Sequence, residues 1–189
     1  MRTINIIAGT YGVGKTSLLG VLTGVEEYVP RIIDETEMTF LFQNNRAKAQ
    51  EAILSILDEH IKWDLLLTLK TTRFDFLIPE LHIAKEQGYS IRLQYIALSS
   101  MEDSIARIQN RVKKGGRDVP TEEIEACFQG RWEDLAKVLP ICSEVVFFDN
   151  DNGFNPIGRY DMGRFICENG KRPPWWEEMV AFMDGAEHG

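Results

Sequence analysis

The chain has 189 residues, a net charge of −8, and 44% hydrophobic and 26% charged residues, which is the make-up of an ordinary globular domain with one sizeable core. The acidity argues against a general nucleic-acid binder, which would need a basic face. No apolar run is long enough to cross a bilayer and the N-terminus reads as no secretory signal; Cys127, Cys142 and Cys167 are too scattered for a disulfide framework or metal cluster, so the expected setting is a reducing cytoplasm.

Ile4 to Ala8 is apolar, β-branched and bounded by Gly9, which predicts a buried strand. Thr16 to Leu22 predicts a helix stopped by Gly24. Arg31 to Asp34 reads as a second short strand ending on an acid, Asn45 to Ile61 as a helix, and Trp63 to Leu69 as a third strand. Pro79 to Gln87 predicts a helix with Gly88 as its stop, followed by a strand over Tyr89 to Leu98. Ser99-Ser100-Met101-Glu102 has capping-box spacing and opens a helix over Met101 to Lys114, broken by Gly115-Gly116. Thr121 to Val138 predicts one continuous helix, and Val145 to Phe148 a fifth strand ending at Asp149. In the tail, Asn169-Gly170 is a hairpin-turn signal, and Pro173-Pro174 precedes a short amphipathic helix with Trp175, Trp176, Val180 and Phe182.

Strands alternating with helices predict an α/β fold with a mostly parallel five-stranded sheet flanked by helices. The expected organisation is a core over 1–155 and a small hairpin-and-helix extension over 156–189. Ligands in such sheets bind beyond the carboxyl ends of the strands, where the loop after Ala8, Asp34 and Lys70-Thr71-Thr72 all fall.

Gly9-Thr10-Tyr11-Gly12-Val13-Gly14-Lys15-Thr16 fits the P-loop pattern G-x-x-x-x-G-K-[ST], between a predicted strand and a predicted helix. Glycines let the backbone N–H groups turn inward around phosphates, and the helix directs its positive end at the same anion. Lys15 is expected to reach the β- and γ-phosphates, the Thr16 hydroxyl to hold Mg²⁺, and Ser17 to complete the cradle. The expected nucleotide is ATP or GTP.

Asp34 at a strand end is a candidate base for a hydroxyl acceptor; the alternative is a solvated acid in a turn with Glu35 and Glu37. Arg107 and Arg111 share a helix face, Arg117 follows the glycine pair, and Arg131 comes one helix later, so 107–131 reads as an arginine-bearing lid. Val145 to Asp149 also has the outline of a Walker B strand, but reads better as a structural strand whose following loop lies near the nucleotide base.

The P-loop, Asp34, Lys70-Thr71-Thr72, Gly88-Tyr89-Ser90-Ile91, the helix from Ile105 through Lys114 and Gly115-Gly116-Arg117-Asp118-Val119-Pro120, followed by Arg131 and Asp149-Asn150, together resemble the zeta-toxin-type P-loop kinases over roughly residues 1 to 155. The resemblance implies a kinase using ATP or GTP with Mg²⁺, Asp34 as base, and Arg111, Arg117 or Arg131 on phosphates. It implies a small hydroxyl-bearing acceptor held near Asp34, Lys70, Thr71 and Thr72, UDP-N-acetylglucosamine being the best-described one in the family, and a small antitoxin protein as partner. Two positions depart from the family pattern: Lys70 stands where Glu is usual, and Arg117 where the G-G-H signature has His. An ammonium offers donors and no acceptor, so Lys70 is expected to attract an anionic acceptor or to pair with Asp34 and weaken it as a base; the alternative is that it snorkels to solvent with its stem on the sheet edge. A catalytically weak nucleotide-binding regulator and an NTPase using Asp149 are the competing readings.

Overall fold

The computed structural model describes residues 2–23, 31–168, 170 and 172–186. Seven strands form one sheet in the order β2-β3-β1-β4-β5-β6-β7. They are β1 (Thr3–Ala8), β2 (Arg31–Asp34), β3 (Leu67–Thr71), β4 (Ser90–Ala97), β5 (Glu144–Asp149), β6 (Asn155–Asp161) and β7 (Arg164–Cys167). The first five pair in parallel; β6 and β7 add an antiparallel edge. Helices α1 (Lys15–Thr23), α2 (Glu35–Leu41), α3 (Arg46–Lys62), α4 (Ile78–Glu86), α5 (Met101–Lys113), α6 (Thr121–Gln129), α7 (Arg131–Val138) and α8 (Pro174–Ala186) complete the chain.

The central strands are buried on both faces, as continuous apolar runs such as Ile4-Asn5-Ile6-Ile7-Ala8 require in a helix-flanked parallel sheet. Ile4, Ile6, Leu67, Ile91, Leu93 and Phe147 form part of the main core. Ile7, Val13, Leu18, Ile96 and Leu98 form a second cluster that includes the P-loop and the root of α1.

The expected five-stranded sheet is corrected to seven. Strand β6 contains Pro156 and Gly158, which hide its periodicity. The hairpin joining β6 to β7 turns at Met162 and Gly163, both at positive φ. Asn169, Lys171, His188 and the expected helix stop at Gly24 lie outside the described residues. The third strand begins at Leu67, after a turn in which Asp64 takes a positive φ, so Lys70 and Thr71 lie within the strand. The single helix expected over 121–138 is two, α6 and α7, divided at Gly130. Glycine costs about 1 kcal/mol in a helix interior and marks such a break.

The tail extends the same sheet and closes its core. Trp175 and Trp176 are buried; Trp176 meets Phe147 edge-on at 5.5 Å, and Trp175 lies 6.4 Å from Trp132. Among the described residues, no helix is long and apolar enough to cross a membrane.

Candidate active site

The loop between β1 and α1 is held by backbone geometry that few residues tolerate. Gly9 has φ +142°, and a Cβ there would stand 2.2 Å from the Ile96 carbonyl oxygen. Gly14 has φ +96° and packs against the Asn150 amide and the Phe154 ring. The Asn150 side chain donates to the Val13 carbonyl at 2.8 Å, and Ser104 Oγ donates to the Tyr11 carbonyl, so the loop is clasped from behind. The loop after β5 thus packs on the P-loop itself.

A cavity of about 400 Å³ opens in front of this loop. Its lining includes Gly12, Gly14, Lys15, Thr16, Ser17, Asp34, Lys70, Arg107, Arg111 and Arg117. The structure therefore gathers most residues singled out from the sequence: the P-loop, the acid at the end of β2, the lysine of β3 and the arginines of α5 and the segment after it. Five cations face two carboxylates, Asp34 and Glu37, which leaves three positive charges in the lining. This local field suits an anion within an acidic protein.

Lys15 donates to the Gly9 and Thr10 carbonyls at 2.7 and 2.9 Å. Burial pulls its ammonium down to about 8. Lys70 pairs with Asp34 Oδ2 at 2.6 Å and donates to the Thr16 hydroxyl at 2.8 Å. Its side chain is only 7% exposed, so the ammonium does not reach out to solvent. Asp34 Oδ1 accepts from the Thr36 N–H at 2.9 Å and caps α2.

Thr71 and Thr72 bind a carboxylate that the sequence reading left in solvent. Glu35 is 3% exposed, and its Oε2 accepts from Thr71 Oγ1 at 2.7 Å, the Thr72 N–H at 3.0 Å and Thr72 Oγ1 at 3.2 Å. Its other oxygen, Oε1, is buried without a hydrogen bond, 3.8 Å from Arg46 Nε. The signal for this site was the spacing Asp34-Glu35-Thr36-Glu37, an N-cap acid with Glu three residues later, which predicts a helix start and places Glu35 in its first turn.

Glu35 lines a second cavity of about 550 Å³ with Thr39, Phe40, Asn44, Arg46, Thr72, Asp118, Val119 and Glu123. Tyr11, Thr36 and Arg117 line both cavities, so the two adjoin. Arg46 donates to the Tyr11 hydroxyl and to Glu123, each at 2.5 Å, and Tyr11 donates to Glu123 at 2.5 Å. Burial and the bond to Glu123 push the Tyr11 phenol up. Burial works to raise Glu123, but Tyr11 and Arg46 hold it below the usual carboxylate range.

The segment after α5 lies over both cavities. Arg111 Nε and Nη2 donate to the Arg117 carbonyl at 3.0 and 2.6 Å, and a Cβ at Gly116 would stand 2.9 Å from the Arg111 carbonyl oxygen. Arg117 reaches the Thr36 carbonyl at 3.0 Å and lies over the Phe40 ring. Arg107 donates to the Asn150 carbonyl at 2.5 Å.

Two residues fall elsewhere. Arg131 lines neither cavity: its guanidinium donates to the Phe128 carbonyl and Glu178, and stacks on Phe128 and Trp132 in the interior. It joins α7 to α8, and that packing accounts for its place. Asp149 accepts from Trp175 Nε1 at 2.8 Å and does not line the P-loop cavity, as the structural reading of its strand expects.

The residues around Thr16 do not fit the expected magnesium ion. The Thr16 hydroxyl and Asp34 carboxylate are both already served by the Lys70 ammonium. A divalent ion roughly 3.5 Å from that ammonium would meet a repulsion of about 9 kcal/mol at an effective dielectric of about 20. Among the described residues, no group of three or more His, Cys, Asp and Glu could hold a metal ion.

A parallel sheet ordered 2-3-1-4-5, a glycine loop clasped ahead of a helix and a basic cavity at the strand ends define a P-loop nucleotide-binding fold. Residues 68–154 match the family described as Zeta toxin, somewhat under half of the chain. A structure from the characterization of the PezAT chromosomal toxin–antitoxin system of Streptococcus pneumoniae has a TM-score of 0.62 at 15% identity, covering 99% of this chain and 86% of that one. The AvrRxo1-ORF1:-ORF2 structure with ATP has a TM-score of 0.61 at 14% identity, covering 95% of this chain and 64% of that one. A putative kinase from Chloroflexus aurantiacus has a TM-score of 0.51 at 14% identity, covering 99% and 95%. No curated protein matches by sequence. The family match therefore spans β3 to the loop after β5, and the likeness to these structures extends the same α/β fold over nearly the whole chain.

Proposed function

We propose that this protein is a kinase that moves the γ-phosphoryl group of ATP or GTP to a hydroxyl of a small molecule. The observation that carries this reading is the adjoining of the two cavities: the P-loop, Lys15, Asp34, Arg111 and Arg117 line one, and it opens past Tyr11, Thr36 and Arg117 into the other. The triphosphate takes the first cavity, with P-loop N–H groups, Lys15 and the lid arginines on its oxygens. The acceptor takes the second. Asp34 draws the proton from the attacking hydroxyl as the new O–P bond forms and the bond to the bridging oxygen breaks, releasing the nucleoside diphosphate. Arg117 lies on the boundary between donor and acceptor, where transition-state charge develops.

The second cavity presents Glu35, Asn44, Arg46, Thr72 and Glu123, donors and acceptors suited to a polyhydroxylated compound such as a sugar nucleotide, with UDP-N-acetylglucosamine the first candidate. By the same family likeness, we assign the protein to the cytoplasm and give it a small antitoxin protein as partner. Transfer from γ-labelled ATP into small-molecule pools, with UDP-N-acetylglucosamine included, tests the reading; labelled product lost in Asp34→Asn is the expected result, and no labelled product from any pool overturns it.

A second reading has one specific observation behind it. The 2.6 Å Lys70–Asp34 pair occupies the base, which favours a nucleotide-binding regulator with weak transfer. Tight ATP binding without labelled product distinguishes that case.

A further inference from the structure

The cation position beside the P-loop threonine is filled from within the chain. Lys70 stands opposite Ile7 of β1 and Asp34 of β2 in the sheet register, so its backbone is fixed from both sides. Its side chain is nearly buried, and its ammonium ends on the Thr16 hydroxyl at 2.8 Å and the Asp34 carboxylate at 2.6 Å. These two oxygens are the protein groups that would otherwise face a divalent ion. A lysine ammonium is a compact point charge with three donors, and two of them are spent here.

We infer that Lys70 is a resident cation that replaces the divalent metal at the nucleotide site, so that the protein takes its triphosphate as the free anion. This rests on the nucleotide reading of the P-loop cavity and goes beyond it. The third Lys70 donor is left for a phosphate oxygen in the cavity that Lys15 also lines. The ammonium also cannot leave cheaply, because its departure strands a nearly buried Asp34 carboxylate.

Calorimetry of the full chain with ATP, in EDTA and in excess Mg²⁺, tests this. The wild-type Kd in EDTA should lie within threefold of the Kd in Mg²⁺. Lys70→Met removes the charge while keeping the stem, and should make binding tenfold or more tighter in Mg²⁺ than in EDTA. Wild-type binding that tightens tenfold or more with Mg²⁺ overturns the inference, whether or not Lys70→Met folds. If that metal-dependent binding is abolished by Lys15→Ala, the nucleotide reading stands and only the resident cation fails. Absence of ATP binding in both buffers overturns both.

Discussion

The Arg117 guanidinium donates to the main-chain carbonyl of Thr36 at 3.0 Å, joining the segment after α5 to the first turn of α2 across the boundary of the two cavities. Gly115, Gly116 and Asp118 are exposed, and the segment is tethered on that side by this bond, the stacking on Phe40 and the buried Val119 side chain. Amides of Gly115 to Asp118 should therefore exchange faster than those of β1 and β4 in the free protein and gain protection with an ATP analogue. Hydrogen exchange with and without the analogue checks this, and equal protection would make the segment a rigid connector. Arg117→Ala should lower transfer by roughly 10² or more with a much smaller change in nucleotide Kd, because an arginine at this boundary serves the transition state.

Lys15 gives the site a pH dependence. Its ammonium is drawn down to about 8 by burial, and phosphate oxygens would raise it again on binding. Below about pH 8 the free lysine is charged and nucleotide affinity should be flat. Above it the complex must take up a proton, and Kd should rise toward tenfold per pH unit. Calorimetry in buffers of different ionisation enthalpy reads that proton directly. In the empty protein the effect on folding has the opposite sense: the unfolded chain holds more protons above pH 8, so stability gains from this group as pH rises from about 8 to the ordinary lysine range. Lys15→Ala should remove both effects and abolish ATP binding while the fold persists.

Asp34→Asn should lower phosphoryl transfer by a factor of roughly 10² or more while nucleotide affinity changes little. The side-chain oxygen of Asn can still cap α2, but the variant leaves the nearly buried Lys70 ammonium without its carboxylate, so the thermal midpoint should fall. Wild-type rates in this variant would reduce Asp34 to a capping residue.

Glu35 separates packing from recognition. Glu35→Ala strands the Thr72 N–H and hydroxyl in the interior, while Thr71 Oγ1 keeps the Arg73 carbonyl at 2.7 Å, and should cost roughly 2 to 3 kcal/mol by urea unfolding. Glu35→Gln keeps an acceptor for those donors and should cost under about 1 kcal/mol. If Oε1, which has the Arg46 ion pair at 3.8 Å but no hydrogen bond, receives a hydroxyl of the acceptor, the same Gln variant raises KM for the acceptor tenfold or more with kcat less affected.

The parts of the molecule that were legible in the sequence are those with a local physical cause. The P-loop announces itself because Gly9, Gly12 and Gly14 must adopt positive φ, and only this spacing delivers it. The parallel strands declare themselves as apolar runs. Strand β6 does not, since Pro156 and Gly158 carry no pattern and its pairing with β5 is a tertiary event. The role of Thr71 and Thr72 was visible only as a position; their occupant, Glu35, arrives from 36 residues away. Arg131 misleads for the same reason: its place in chain order suggests a lid, whereas Glu178 and the aromatic rings of α6 and α7 claim it.

The bond from Trp175 to Asp149 links the outer edge of the fold to the phosphate cradle. Asp149 precedes Asn150, the residue whose side chain clasps the P-loop carbonyl of Val13. Helix α8 also sets Trp175 beside Trp132 and Trp176 against Phe147. A change that loosened α8 would thus reach the nucleotide loop through a single peptide bond, as slack in a hinge is felt at the latch.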